Sequence, residues 1–326
     1  MLLIKLFILA QKFLQNPVKF DDHFMTRKIL FFINPISGGK EKLQLEKEII
    51  KKCEEKNTAF EILFTSKDGD YNFLRDKIKM DNITDIAICG GDGSIAHIVA
   101  SVLNVPVNIG VIPLGSGNGL ARTAGIPKSV DKAIDIIFGG NSSYIDAFLI
   151  NNRFSTHVCG LGFDAKVAHD FSKQKKRGLN SYTKLSIKNF LSARTFHFHI
   201  EANENNFDVD AFLVCVANSN QFGNNFKIAP KASICDGLLD IVILKKSSKP
   251  QAVLSFITQI LTGKTKSLQE KDFHKKNVLY FQAKKLKIKN PDLALLHIDG
   301  DPAETAEEFS IEILPAAYKL IQPLKK

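Results

Sequence analysis

From residue 25 onward, short apolar runs alternate with segments whose apolar residues recur every three or four positions. ILFFIN (29–34) reads as a buried strand and LQLEKEIIKKCEEKN (43–57) as an amphipathic helix. AFEILFT (59–65) predicts the next strand, FLRDKIK (73–79) a helix and DIAICGG (85–91) a third strand. IAHIVASVL (95–103) predicts a helix, VNIGVIP (107–113) a fourth strand, and a further helix runs from about Ser129 to Phe138. Strands alternating with crossover helices give an open, mainly parallel α/β sheet. Ligands of such sheets bind beyond the carboxyl ends of the strands.

The rhythm changes near Asp146. FLIN (148–151), FSTHVCG (154–160), FHFHIEA (196–202), DAFLVCVAN (210–218), LLDIVIL (238–244), AKKLKIK (283–289), LALLHID (293–299) and FSIEILP (309–315) follow with few helices between them. Helical segments are expected at about 181–193 and 250–261. The fold class is therefore α/β with two domains: an N-terminal open parallel α/β nucleotide-binding domain over 25–146, and a C-terminal β-sandwich-like domain over 147–326. No single mixed sheet is expected to run through both halves, although YKLIQP (318–323) can return to the first domain. Residues 1–24 read as an upstream extension or a loose surface helix, with peripheral membrane contact as a further reading.

Composition narrows the field of partners. The 326 residues are 44% hydrophobic and 24% charged, an ordinary globular balance with enough apolar material for two cores. The formal charge of +10 favours anions: nucleotide phosphates, nucleic acid or an acidic membrane face. Scattered lysines, with no recognition helix, zinc motif or aromatic RNA platform, argue against nucleic acid. Five cysteines without a CxxC pair read as reduced, mostly buried side chains of a cytosolic protein. No run approaches the ~18 apolar residues of a spanning helix.

Three strand ends carry loops of small residues. Asn34-Pro35-Ile36-Ser37-Gly38-Gly39-Lys40 lets backbone N–H groups approach an anion, without Walker A spacing. Gly90-Gly91-Asp92-Gly93-Ser94 sets one carboxylate among three glycines, where Asp92 can hold Mg²⁺ or a water bound to it. Pro113-Leu114-Gly115-Ser116-Gly117-Asn118-Gly119 repeats the arrangement after the fourth strand. Each alone could be an ordinary turn; together, at ends of one sheet, they predict a phosphate site.

INPISGGK, CGGDGSIAHIV and VIPLGSGNGLARTAGIP resemble, in order and spacing, the signatures of the diacylglycerol kinase superfamily, which includes bacterial lipid kinases and the sphingosine and ceramide kinases. IDAFLINNRF, GLGFDAKVAHDF, RGLNSY, ANSNQFGNNFKIAPKASICDGLLDIVIL and HIDGDPAE resemble its later signatures, so the likeness covers about residues 27–323. It implies an ATP-dependent kinase acting on a lipid hydroxyl at a membrane surface, with Mg²⁺ as cofactor. It places Asn34, Pro35, Ile36, Ser37 and Gly38 at the phosphates and Thr65 beside the nucleotide. Gly90, Gly91, Asp92, Gly93, Ser94, Ile95 and Ala96 line the ATP site, and Ser116 touches the nucleotide. The family's general base is the glutamate of a DGE motif; here the motif is Asp299-Gly300-Asp301, making Asp301 the candidate base and Asp92 the runner-up. A structural Mg²⁺ is implied at Ser233, Asp236 and Leu238, where Asp236-Gly237 could equally be a plain turn.

Departures from the family pattern are Ala96-His97 in place of Asn-Glu, Gly119 in place of the aspartate of NDxA, and the shortened base. They keep open a nucleotide-binding regulatory protein without catalysis, alongside a kinase for a small soluble alcohol. The basic run Lys173, Lys175, Lys176 and Arg177, beside Leu185, Ile187, Phe190 and Leu191, reads as a solvated loop or as a face for an anionic membrane. The acyl-chain pocket and the oligomeric state have no readable signature.

Overall fold

The computed structural model describes residues 27–35, 42–66, 68–174, 179–203, 205–221, 228–248, 250–251 and 277–324. The expectations for 1–24, for Ile36, Ser37 and Gly38, for Lys175, Lys176 and Arg177, and for most of 250–261 lie outside the described residues.

The first half is built on four parallel strands: β1 (Lys28–Ile33), β2 (Ala59–Phe64), β3 (Asp85–Gly90) and β4 (Asn108–Pro113). They lie side by side in the order β4-β3-β1-β2. β3 is buried at every position and β1 and β4 at all but the first, as strands covered on both faces must be, while the edge strand β2 is half-exposed. Helices α1 (Lys42–Glu55), α2 (Leu74–Met80), α3 (Asp92–Ser101), α4 (Gly119–Thr123) and α5 (Val130–Gly139) supply the crossovers. Helix α1 buries Leu45, Ile49 and Cys53, spaced four apart on one face. Helix α5 packs so closely that a Cβ on Gly110 of β4 would lie 2.7 Å from Ile137.

The amino ends of these strands are closed by charge. Asp85, buried at the start of β3, accepts hydrogen bonds from Arg27 Nε (2.9 Å), Thr84 Oγ1 (2.7 Å) and Asn108 Nδ2 (3.1 Å). Arg27 also donates to the Ile137 and Phe138 carbonyls at the end of α5, a favourable place for a cation.

The second half contains β5 (Ser142–Ile150), β6 (Arg153–Ser155), β7 (Val158–Gly162), β8 (Phe196–Ala202), β9 (Asn205–Ala217), β10 (Leu239–Lys245) and β11 (Val278–Ala283). β12 (Lys285–Lys289), β13 (Leu296–Ile298), β14 (Asp301–Ala303) and the long β15 (Glu308–Ile321) complete it. Two helices, α6 (Phe163–Ser172) and α7 (Leu179–Leu191), lie between β7 and β8. Leu239, Ile241 and Ile243 of β10 face one core, while Val242 and Leu244 face another under Phe163 and Phe190, so the strand is buried on both sides.

The two-domain α/β class holds, but the expectation that no sheet joins the halves does not. All fifteen strands among the described residues form one hydrogen-bonded ladder. The link is the antiparallel pair β5–β15, which runs through both halves. Ile145 and Ala147 pack in the first core, and Phe148 and Ile150 in the second. On β15 the register breaks between Leu314 and Tyr318; Phe309, Ile311 and Ile313 serve the second core, whereas Tyr318, Leu320 and Ile321 serve the first. Lys319 and Leu320 then lie parallel beside β4. Asp146 holds this crossing: buried, it accepts the N–H groups of Gly237 (2.7 Å) and Ala316 (2.8 Å), and Ala316 has a φ of +51°. Two cores on one ladder is what sequence rhythm misses, because a strand serving both halves reads as an ordinary strand.

Candidate active site

The sheet order places a switch point between β1 and β3, since the chain leaves β1 toward β2 on one side and returns to β3 on the other. A crevice opens there beyond the strand ends. Asn34 leaves β1 at this point; its Nδ2 donates to Ser94 Oγ at 2.9 Å, and its N–H to the Cys89 carbonyl. Pro35 follows as an exposed turn residue. Thr65, just past β2, donates its N–H to the Ile33 carbonyl, which brings it to the same end of the sheet.

Gly90, Gly91 and Gly115 let two loops meet backbone to backbone. A Cβ on Gly115 would stand 2.6 Å from the Gly91 Cα, and one on Gly90 2.9 Å from Ser94 Oγ. Gly91 precedes α3 in extended conformation with no side-chain cap, so the helix starts with open N–H groups suited to an anion. Ile95, by contrast, is buried in the core behind the loop, and Ala96, also buried, lies against the cleft. Ser116 is exposed at the tip of the third loop. Asn118 bends that loop with a φ of +52° and holds it by two hydrogen bonds to the Gly115 backbone.

Asp92 opens α3 and is buried. Its Oδ2 accepts the Gly119 N–H at 3.0 Å and its Oδ1 the Leu120 N–H at 3.2 Å. The carboxylate therefore brackets the second and third loops together, a duty the sequence does not reveal because 27 residues separate the partners.

The second half contributes the turn between β13 and β14. Asp299, with a φ of +51°, points inward and is buried. It accepts Ser155 Oγ (2.7 Å) and the N–H groups of Thr156 (3.0 Å), His157 (3.1 Å) and Val158 (3.1 Å). The buried ring of His157 brings Nδ1 within 2.9 Å of Asp299 Oδ1 as an ion pair, off the line of a hydrogen bond. Burial alone would raise the Asp299 carboxyl, but the charge of His157 and the surrounding donors hold it down at about 2. Behind the turn, His297 Nδ1 accepts the Gly300 N–H, which leaves Nε2 to donate to Asp164 at 3.3 Å. Gly160 makes room for that pair: a Cβ there would meet His297 Nε2 at 2.7 Å and overlap Asp164.

Asp301, two residues on, points outward and is exposed. Its Oδ2 would lie 2.5 Å from a Cβ on Gly93, in the first turn of α3. The glycine of the second loop thus makes space for the carboxylate of the other domain. Both line a cleft of about 300 Å³ with Ala96, His97, Arg153, Phe154 and Ile298. His97, which the sequence suggests is a packed or surface residue, is exposed within this cleft.

Ser233, Asp236 and Leu238 form a tight turn: Asp236 Oδ1 accepts the Leu238 N–H at 3.1 Å. Burial, with Asp146 nearby, raises the Asp236 carboxyl above its ordinary range. Among the described residues, no three His, Cys, Asp or Glu side chains gather as a metal-ligand set. Sequence reasoning missed His157, Asp299 and Asp146. The polar Ser-Thr-His stretch inside an otherwise apolar run was the available signal for the first two.

Glycine loops at a parallel-sheet switch point are thus faced by a carboxylate turn from a β-rich domain, the arrangement of a two-domain cleft. A model of the diacylglycerol kinase catalytic domain matches residues 28–150, and one of the YegS C-terminal NAD kinase beta sandwich-like domain matches 157–322. The chain belongs to this lipid kinase family, whose members pair the two domains and whose chemistry is phosphoryl transfer. It is 28% identical over 250 residues to a Shewanella frigidimarina protein named "Probable lipid kinase YegS-like", covering 74% of this chain and 78% of that one. To the Bacillus subtilis protein named diacylglycerol kinase it is 26% identical over 274 residues, covering 82% and 88%. A solved Bacillus anthracis structure titled as a diacylglycerol kinase shares the fold, with a TM-score of 0.69 at 20% identity over 91% of this chain and 97% of that one.

Proposed function

We propose that the protein is an ATP-dependent lipid kinase that moves the γ-phosphate of ATP to a hydroxyl of a membrane lipid. The observation that carries this reading is the contact of Asp301 with Gly93, which sets an exposed carboxylate of the second domain against the start of the nucleotide-facing helix. A lipid hydroxyl in the cleft would give its proton to Asp301 as its oxygen forms the bond to the γ-phosphorus and the bond to the departing ADP oxygen breaks. The open N–H groups of Asp92–Ser94 at the start of α3 would hold the phosphates, with the Asn34 side chain and the third loop beside them and the adenosine side near Thr65 and Ser116.

Both oxygens of Asp92 already accept backbone N–H groups, so its fit to Mg²⁺ is through a bound water. Mg²⁺, when bound with ATP, would neutralise charge on the β- and γ-phosphates. The Asp236 turn, with Asp146 beside it, has the oxygen chemistry of a hard-cation site.

The peripheral membrane reading is supported by α7, where Ile187 and Leu191 are exposed one turn apart beside exposed Lys184 and Lys188, with no acidic residue on the helix. No helix among the described residues is long and apolar enough to cross a membrane.

The test is transfer of label from γ-labelled ATP to a total lipid extract, with the product identified by chromatography and mass spectrometry. A labelled lipid is expected. ATP binding without transfer to any lipid would contradict the reading and favour the regulatory one; transfer only to a soluble alcohol would move the acceptor class.

A further inference from the structure

The ring of His157 spans the seam between the domains. On one edge, Cδ2 and Nε2 lie 2.8 and 2.9 Å from a Cβ built on Gly119, with the Gln221 carbonyl 3.0 Å from the same point. On the other, Nδ1 is 2.9 Å from Asp299. The ring thus fills the room that a side chain at 119 would need, so the glycine is the counterpart of the histidine. It also joins the loop that Asp92 brackets to the turn that presents Asp301.

The groups that face or sense the ring come from every neighbouring element. They are Asp92 of α3, the Gly119 backbone, the Gln221 carbonyl beyond β9, and Asp299 and Asp301 of the β13–β14 turn. Tyr318 of β15 adds a neutral phenol, buried without a hydrogen-bond partner and subject to Asp299 and Asp92. Burial works against a charged ring, but Asp92, Asp299 and Asp301 outweigh it and hold the imidazole up at about 9.

We infer that His157 is a positioning residue of the phosphoryl-transfer site, tying the third nucleotide loop to the acceptor turn and so fixing where Asp301 stands relative to the phosphates. This rests on the lipid kinase reading. Without the ring, Asp299 loses its buried partner and the turn loses its contact on the nucleotide side. Small displacements of a reacting group are costly, about 10²-fold for 1 Å.

The experiment uses the full chain as His157→Gln, His157→Ala, Gly119→Ala and the double variant Gly119→Ala/His157→Ala. Turnover with ATP and total lipid extract is followed from pH 6 to pH 10, alongside the Tm. His157→Gln is expected to lower kcat roughly 10- to 100-fold with little change in KM for ATP. It should also abolish the decline of kcat expected of the wild type as pH rises through about 9. Gly119→Ala should lose turnover in the same way, because the new Cβ strikes the ring, and the double variant should regain part of it. Wild-type kcat and pH profile in His157→Gln, or strict additivity in the double variant, overturns the inference.

A second arm needs no turnover. Because the folded value lies above the ordinary 6.5, the ring's contribution to stability is complete below that pH and is lost as pH rises through about 9. The Tm should fall across that window in the wild type and not in His157→Gln; the same fall in both overturns the inference. Absence of labelled lipid with wild type sinks the lipid kinase reading alone.

Discussion

The two acidic turns of the site, Gly90–Gly93 in the first domain and Asp299–Asp301 in the second, use carboxylates in opposite ways. In the first, one aspartate is buried and spends both oxygens on backbone N–H groups of the neighbouring loop. In the second, the work is divided. Asp299 is buried in a nest of three N–H groups and two hydroxyls, while Asp301 faces the cleft. An aspartate within a glycine-rich signature is thus not of itself the chemical group. Its burial and its donors decide whether it builds the site or reacts in it.

Asp299→Asn should have the largest effect on stability. It removes the charge opposite a buried imidazolium and presents an amide to a nest of donors. A loss of about 3–5 kcal/mol is expected, as for breaking a buried pair, read by denaturant unfolding at pH 7. Because the Asp299 value is depressed to about 2, its contribution is present above the ordinary carboxylate range and fades as pH falls through 2. The gap between wild type and variant should therefore narrow in acid. Equal stability at pH 7 would show that the nest does not need the charge.

Asp92→Asn should have a smaller effect on stability, about 1–3 kcal/mol, because one amide nitrogen then faces a backbone N–H. Turnover should fall with it as the third loop loosens. Sequence alone suggests a purely chemical loss with the fold intact; the bracket to Gly119 and Leu120 predicts both together. Unchanged unfolding with lost turnover would return Asp92 to a chemical role only.

Much of the first domain was legible because its strands are continuous apolar runs between glycine loops, and burial on both faces leaves that mark. The meeting of the glycine loops was legible for a related reason: a loop that must touch another backbone shows glycine, as at Gly91 and Gly115. The joint of the domains was not. Helix α4 is five residues long, too short for periodicity to register, and α6 follows directly on β7 without polar punctuation. The His157–Asp299 pair lies 142 residues apart in sequence, so neither residue advertises the other. The register break in β15 that lets one strand serve two cores leaves only the unremarkable stretch Leu314–Tyr318.

In the proposed reaction the exposed carboxylate of the second turn, not the buried one of the first, takes the proton of the accepting hydroxyl. Transfer from γ-labelled ATP to the lipid fraction, measured for wild type, Asp301→Asn and Asp301→Glu with unfolding monitored in parallel, tests it directly. Asp301→Asn should cut turnover roughly 10²–10⁴-fold with unchanged stability and little change in KM for ATP, while Asp301→Glu keeps substantial activity. Wild-type turnover in Asp301→Asn would contradict the claim and leave the turn a structural element.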